Sequence, residues 1–191
     1  VVDGRAAEQT DRVVAEGRTW SYILWRGENT IRITQNDVRQ IQLGKAALYA
    51  GIRLLMDRMH VENIERIRLA GAFGNHIDVK YAMILGLIPD CDLDNVSSAG
   101  NAAGVGARIA LLDRKGRREI EEVVRAIEKV ETAIEPKFQE HFVEAMAIPH
   151  KTAPFDNLRQ AVDLPEVDHS TEGRVPGGDD SSGIRRRRRR R

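Results

Sequence analysis

The sequence contains one cysteine, six prolines, few aromatic residues and no long apolar run. Each shortage excludes something. A lone Cys91 rules out a disulfide framework, and it rules out a zinc or iron–sulfur site built from this chain's own cysteines. No stretch approaches the roughly 18 apolar residues of a membrane span, and no signal-peptide pattern opens the chain. The expectation is a reduced, cytoplasmic protein with no membrane partner.

An excess of one charge sign is also missing, but the balance is deceptive. The chain has 30 Lys+Arg against 29 Asp+Glu, and seven of the arginines form the run Arg185–Arg191. Residues 1–184 alone hold 23 basic and 29 acidic groups, a net of −6. Such a body offers no broad basic surface, which argues against nucleic acid as a partner. The heptarginine would attract phosphates or acidic surfaces. It lacks interleaved aromatics and reads as an appended tail. The chain starts Val-Val-Asp-Gly without Met, as a piece of a longer protein would.

What is present is an alternation of strand and helix signals. Residues 1–19 read as a polar lead-in. Trp20–Trp25 is aromatic and β-branched, with Trp20, Tyr22 and Leu24 on one face, and Thr30–Ile33 is a short partner strand. Thr34-Gln-Asn-Asp37 is a capping pattern. From there to Met59, the positions Ile41, Gly44, Leu48, Ile52, Leu55 and Met59 mark one helix face. Gly44 and Gly51 near that face suggest close approach of another backbone. Ile64–Leu69 reads as a strand, Asp78–Leu87 as a short helix closed by Pro89, and Asn95–Ser98 as a strand. Helices follow at Asn101–Leu112 and Gly116–Lys129, a last strand at Val130–Ile134, and a last helix at Pro136–Met146. Residues 151–191 show no periodic face and read as a disordered tail. The pattern predicts an α/β fold with a largely buried sheet spanning residues 20–150.

Chemistry concentrates in two glycine clusters. Leu69-Ala-Gly-Ala-Phe-Gly-Asn75 ends a strand, where glycines permit positive φ and leave room for a ligand against the backbone. A glycine turn at a strand's carboxyl end is where open α/β sheets bind nucleotides. The same residues equally suit a tight turn with Phe73 in the core. Ser98–Ala107 carries Gly100, Asn101 and Gly104; Gly100 and Gly104 are four apart, as are Ala103 and Ala107, so a side-chain-poor surface would run along the helix. That surface suits helix packing first and a ligand contact at its N-terminus second.

Three other patterns fail. Asp90-Cys-Asp-Leu-Asp94 begins like a calcium loop but has Asn95 and Asn101 where Gly and Glu belong, so it reads as a polar turn with Cys91 buried. The five histidines lack metal spacing. Neither glycine cluster spells G-x-G-x-x-G.

Several segments in order resemble a known family. They are Ile33–Leu43, Lys45–Ile52, Arg68–Gly74, Ile88–Cys91, Gly100–Gly104 and Phe138–Pro149. Together these are similar to the C-terminal end of the reductive activators of corrinoid proteins, ferredoxin-like ATPases of corrinoid-dependent methyl transfer. The resemblance covers residues 20–150. It implies part of an actin-like, ribonuclease H-like ATPase domain (the ASKHA superfamily), with a mixed sheet flanked by helices. It also implies ATP with Mg as cofactor, a corrinoid protein as partner, and a 2Fe-2S cluster held upstream of Val1. Gly71, Ala72, Phe73, Gly74 and Asn75 would form the adenosine turn. Gly100, Asn101 and Gly104 would lie on the second connecting helix. The superfamily's twin glycines are reduced to one here, because Ala72 takes the second place. No acidic-Gly-Thr phosphate loop is present, so the chain would supply one wall of an ATP site and be inactive in hydrolysis alone. A non-catalytic homodimerisation module is the second reading, and an arginine-tail nucleic-acid binder the third.

Overall fold

A computed structural model describes residues 10–164, except 18, 72, 73, 75 and 133. Three antiparallel strands come first: β1 (Val13–Glu16), β2 (Thr19–Trp25) and β3 (Ile31–Thr34), in that spatial order. The polar lead-in therefore already contains a strand, because Val13 and Val14 pair with Tyr22 and Ser21. On β2 the small Ser21 faces inward at 2% exposure, while Trp20, Tyr22 and Leu24 share the outward face.

Helix α1 (Gln35–Met59) begins where the capping pattern places it. Thr34 accepts from the Asp37 amide, and the Asp37 carboxylate accepts from the Thr34 amide at 2.8 Å. This reciprocal cap satisfies two of the donors a helix start leaves open. The hydrogen bonds also hold the Asp37 carboxyl below its ordinary range. The buried face of α1 is not the expected one. Lys45, Ala46, Tyr49, Ala50, Leu54 and Met56 are buried, whereas Ile41, Leu48, Leu55 and Met59 are exposed. Space for a Cβ is open at Gly44 and Gly51, so among the described residues no other backbone approaches there. The physical reason is that α1 is apolar on two faces. The alanine-bearing one receives α5 (Phe138–Glu144), and the other is left to solvent.

Strands β4 (Ile67–Ala70) and β5 (Val96–Gly100) pair in parallel as a separate two-stranded sheet. The mixture of strand directions is thus divided between two sheets, and neither is largely buried. Between them lies α2 (Val79–Ile84), capped by Asp78, followed by a 3-10 turn at Leu93–Asn95 that Asp92 caps. The acidic stretch 90–94 is the polar turn expected. Helices α3 (Ala102–Leu112) and α4 (Arg114–Ala126) form a hairpin. Among the described residues of 130–134, none is in a strand. Arg58, at the end of α1, pairs with both Glu128 and Glu135 and pins the segment across the helix end as a loop.

The fold also continues past His150. Helix α6 (Asp156–Ala161) places Leu158, with Phe155 just before it, among Tyr49, Met83, Ile88, Cys91 and Ala145 in the core. Asp90 holds α6 in place: its carboxylate accepts from the amides of Asn157 at 2.9 Å and Leu158 at 3.0 Å. The tail expected from residue 151 is therefore folded through Leu164, and the arginine run lies outside the described residues. Among the described residues, no helix is long and apolar enough to cross a membrane.

Candidate functional site

The two glycine clusters, 29 residues apart, meet at one end of the parallel pair. β4 and β5 pair from Ile67 opposite Val96 to Leu69 opposite Ser98, then shift by one residue so that Ala70 stands opposite Gly100, and the Gly71 amide donates to the Gly100 carbonyl at 2.9 Å. Both residues lie in the left-handed region, Gly71 at φ 95° and Gly100 at φ 64°. A side chain on either would be strained. The backbone thus turns away from both strand ends at the same level. Among the described residues nothing would meet a Cβ added at Gly71, so they leave the surface beside it open. This is the carboxyl edge of a parallel sheet, the place where α/β folds receive ligands.

The neighbouring glycines have local duties. A Cβ on Gly74 would run into the Leu69 carbonyl, so the turn folds back on its own strand. Asn101 caps α3, its Oδ1 accepting from the Gly104 amide at 2.9 Å, and a Cβ on Gly104 would press on that cap. Ala72, Phe73 and Asn75 lie outside the described residues. The N-terminus of α3 therefore faces the same edge as Gly71, with its partial positive charge. The open backbone at Gly71 fits a ligand laid against the turn. No phosphate-gripping side chain accompanies it among the described residues.

A second polar region joins α1 to the segment after α5, and sequence reasoning missed it. The Lys45 ammonium is 1% exposed and donates to the carbonyls of Ala147 and Pro149, the latter at 2.7 Å. Gln42 donates to Met146 O at 3.0 Å. Gly86, at φ 70°, lets Pro149 come this close, since any Cβ there would strike its carbonyl. Next to this clamp is a cavity of about 250 Å³ lined by Tyr49, Arg53, His141, Glu144, His150 and Thr152. His141 Nε2 lies 2.9 Å from Asp57, whose carboxyl is held below its ordinary range by His141, Lys137 and Arg53 against the opposing effect of burial. The only available signal was a lysine set among alanines on a helix, which resembles any solvated helix position.

Burial lowers the Lys45 ammonium to about 8 from its ordinary 10.5. Between those values the folded state binds fewer protons than the unfolded chain, so stability rises with pH. The neutral amine keeps two N–H donors for its two carbonyls. From pH 8 to 9.5 the expected gain is about 2 kcal/mol. Urea unfolding of wild type and Lys45→Met at both pH values should show the rise only in the wild type. An equal rise in both would remove Lys45 as its source.

Cys91 is fully buried, and burial with the flanking Asp92 and Asp90 carboxylates pushes its thiol up. It is inert packing. No group of three metal-binding side chains occurs among the described residues.

With this geometry in hand, comparison with known proteins is informative. Residues 2–159 match the model of the C-terminal domain of RACo, the ASKHA domain. The corrinoid activation enzyme RamQ of Eubacterium limosum is 41% identical over 127 residues, covering 63% of this chain and 21% of that protein. A solved structure of a reductive activator for corrinoid, iron–sulfur protein superposes with a TM-score of 0.62 at 34% identity, covering 73% of this chain and 23% of that one. The chain spans less than a quarter of either relative's length. It belongs to the family of the C-terminal ASKHA domain of the corrinoid activators.

Proposed function

We propose that this chain is the C-terminal, nucleotide-binding portion of an ATP-dependent activator that returns an inactivated Co(II) corrinoid protein to Co(I). The relatives' names support the corrinoid protein as partner. The observation that carries the nucleotide is the meeting of Gly71 with Gly100 and Asn101 beside open space at the carboxyl edge of β4 and β5. In this reading the adenosine of ATP lies along the Gly71–Asn75 turn, with the start of α3 beside it. Magnesium and the triphosphate are held by polypeptide other than this chain, as is the 2Fe-2S cluster. Those groups supply the electron and the driving free energy when bound. This chain's residues orient: Gly71 lets the backbone approach the ligand, and Asn101 fixes the first turn of α3.

Closure of the cleft around nucleotide would shift α3 relative to the strand edge and favour docking of the corrinoid protein, a shift of populations rather than a chemical step. Gly104 is a poor probe of that motion, because a side chain there breaks the Asn101 cap.

The direct test is binding of a fluorescent ATP analogue to the 191-residue chain, with ATP hydrolysis measured alongside. Binding without robust magnesium-dependent turnover is expected. Gly71→Val should weaken binding at least tenfold, about 1.4 kcal/mol, while far-ultraviolet circular dichroism stays unchanged. Equal binding by the variant would remove the turn from the site. Robust hydrolysis by the chain alone would overturn the division of labour.

A further inference from the structure

The α3–α4 hairpin packs on itself and on little else among the described residues. No residue of α3 is buried, and on α4 only Gly116 is. Between the two helices runs an apolar groove of about 320 Å³, floored by Gly106 and walled by Ile109, Ile120, Val123 and Val124. Val123 is 56% exposed and Val124 60%. On α4 the residues 120, 123 and 124 follow helical spacing, so they form one stripe, with Glu119 at the edge of the groove. A stripe of this size left to water is not a stable arrangement for a monomer.

We infer that this groove seats the remainder of the activator's ATPase domain, the polypeptide that the relatives contain and this chain does not. The inference rests on the reading under Proposed function. Two observations select this occupant over a second copy of the chain. First, the matched segment is 21–23% of the relatives, so roughly four-fifths of an activator is left to cover it. Second, exposed apolar side chains occur on three separate faces. They are the hairpin, the outer face of α1 with Met59 at 72% exposure, and the outer face of β2 with Leu24 at 51%. A two-fold dimer is closed through a single self-complementary patch. It would leave the other two faces wet. Surrounding polypeptide from one larger partner covers all three. The floor also suits a helix, because Gly106 has nothing within 4 Å of an added Cβ and lets another backbone come close.

The experiment mixes the 191-residue chain with the Eubacterium limosum activator from which the matching 127 residues have been deleted. Light scattering after gel filtration should show a one-to-one complex. Val124→Glu should weaken it at least tenfold, whereas Leu111→Glu, off the stripe, should change affinity less than threefold. In the intact relative, which does not depend on the deleted protein folding, the amides aligned with α4 should exchange at least tenfold more slowly than in the isolated chain. A complex indifferent to Val124→Glu, or equal exchange in the two proteins, overturns the inference. So does a homodimer that Val124→Glu dissociates while no mixed complex forms. Nucleotide binding is read separately. A Val124-sensitive complex without ATP affinity keeps the interface and removes the nucleotide reading, and an ATP-binding complex indifferent to Val124→Glu does the reverse.

Discussion

Phe155→Ala is expected to lower the free energy of unfolding by about 3–5 kcal/mol. Phe155 is 1% exposed and lies with its ring 6.3 Å from that of Tyr49, in a core shared with Met83 and Leu158. Truncating the ring removes its transfer free energy and leaves a cavity that fixed helices on both sides cannot close. Domains of this size are stable by about 5–15 kcal/mol, so the loss is a large fraction of the total. Urea unfolding followed by circular dichroism measures it, and Phe155→Leu, which keeps most of the volume, should cost less than half as much. Removing residues 151–191 should be worse still, because Leu158 and the Asp90-capped α6 go with them. A change below about 1 kcal/mol for Phe155→Ala would show that the segment is peripheral after all.

The same segment shows what the sequence leaves obscure. Residues 151–164 contribute two core side chains, but Phe155 and Leu158 are three apart with polar and charged neighbours, too short a run to display a period. Their place is fixed by Asp90, 67 positions earlier, accepting from the first amides of α6. A contact at that separation leaves no local trace. By contrast, the Thr34–Asp37 cap, the Asp78 start of α2 and the Asn101 start of α3 were all legible, because capping chemistry is confined to four consecutive residues.

The face of α1 was misread for a related reason. Spacing of large apolar residues reports which faces of a helix avoid water, and α1 has two such faces. It does not report which of them this length of chain covers. Ala46 and Ala50 form the inner face because their small side chains admit α5, while Leu48 and Leu55 stay exposed. The glycine clusters were legible as residues but not as one place. Their meeting depends on β4 and β5 lying in parallel and on the one-residue shift after Leu69, so that Gly71 reaches Gly100. Lys45 and His150 were invisible because desolvation is a property of the assembled core.

His150 carries the second large effect, and it acts through pH. Its Nδ1 accepts from the amides of Ala153 at 3.0 Å and Thr152 at 3.2 Å, so the neutral ring carries its proton on Nε2. Burial, with the nearby positive charges of Lys45, Arg53 and His141, lowers the ring to about 4 from its ordinary 6.5. Glu144 is the one acidic group among the described residues that line the same cavity. In the unfolded chain the ring titrates normally. Below pH 6.5 the unfolded state therefore binds more protons than the folded one, and stability falls as pH falls, the full loss being reached below about 4. At pH 4.5 the expected loss against pH 7 is about 2–3 kcal/mol. Asp57, whose carboxyl is depressed, gives up its contribution only below the ordinary carboxylate range, outside this window. His150→Gln retains an acceptor without a titrating ring, so its stability should be nearly level from pH 7 to 4.5. Chemical unfolding of both proteins at pH 7, 6, 5 and 4.5 reads the difference directly, and parallel curves would mean that His150 is solvated and takes up its proton in the folded state.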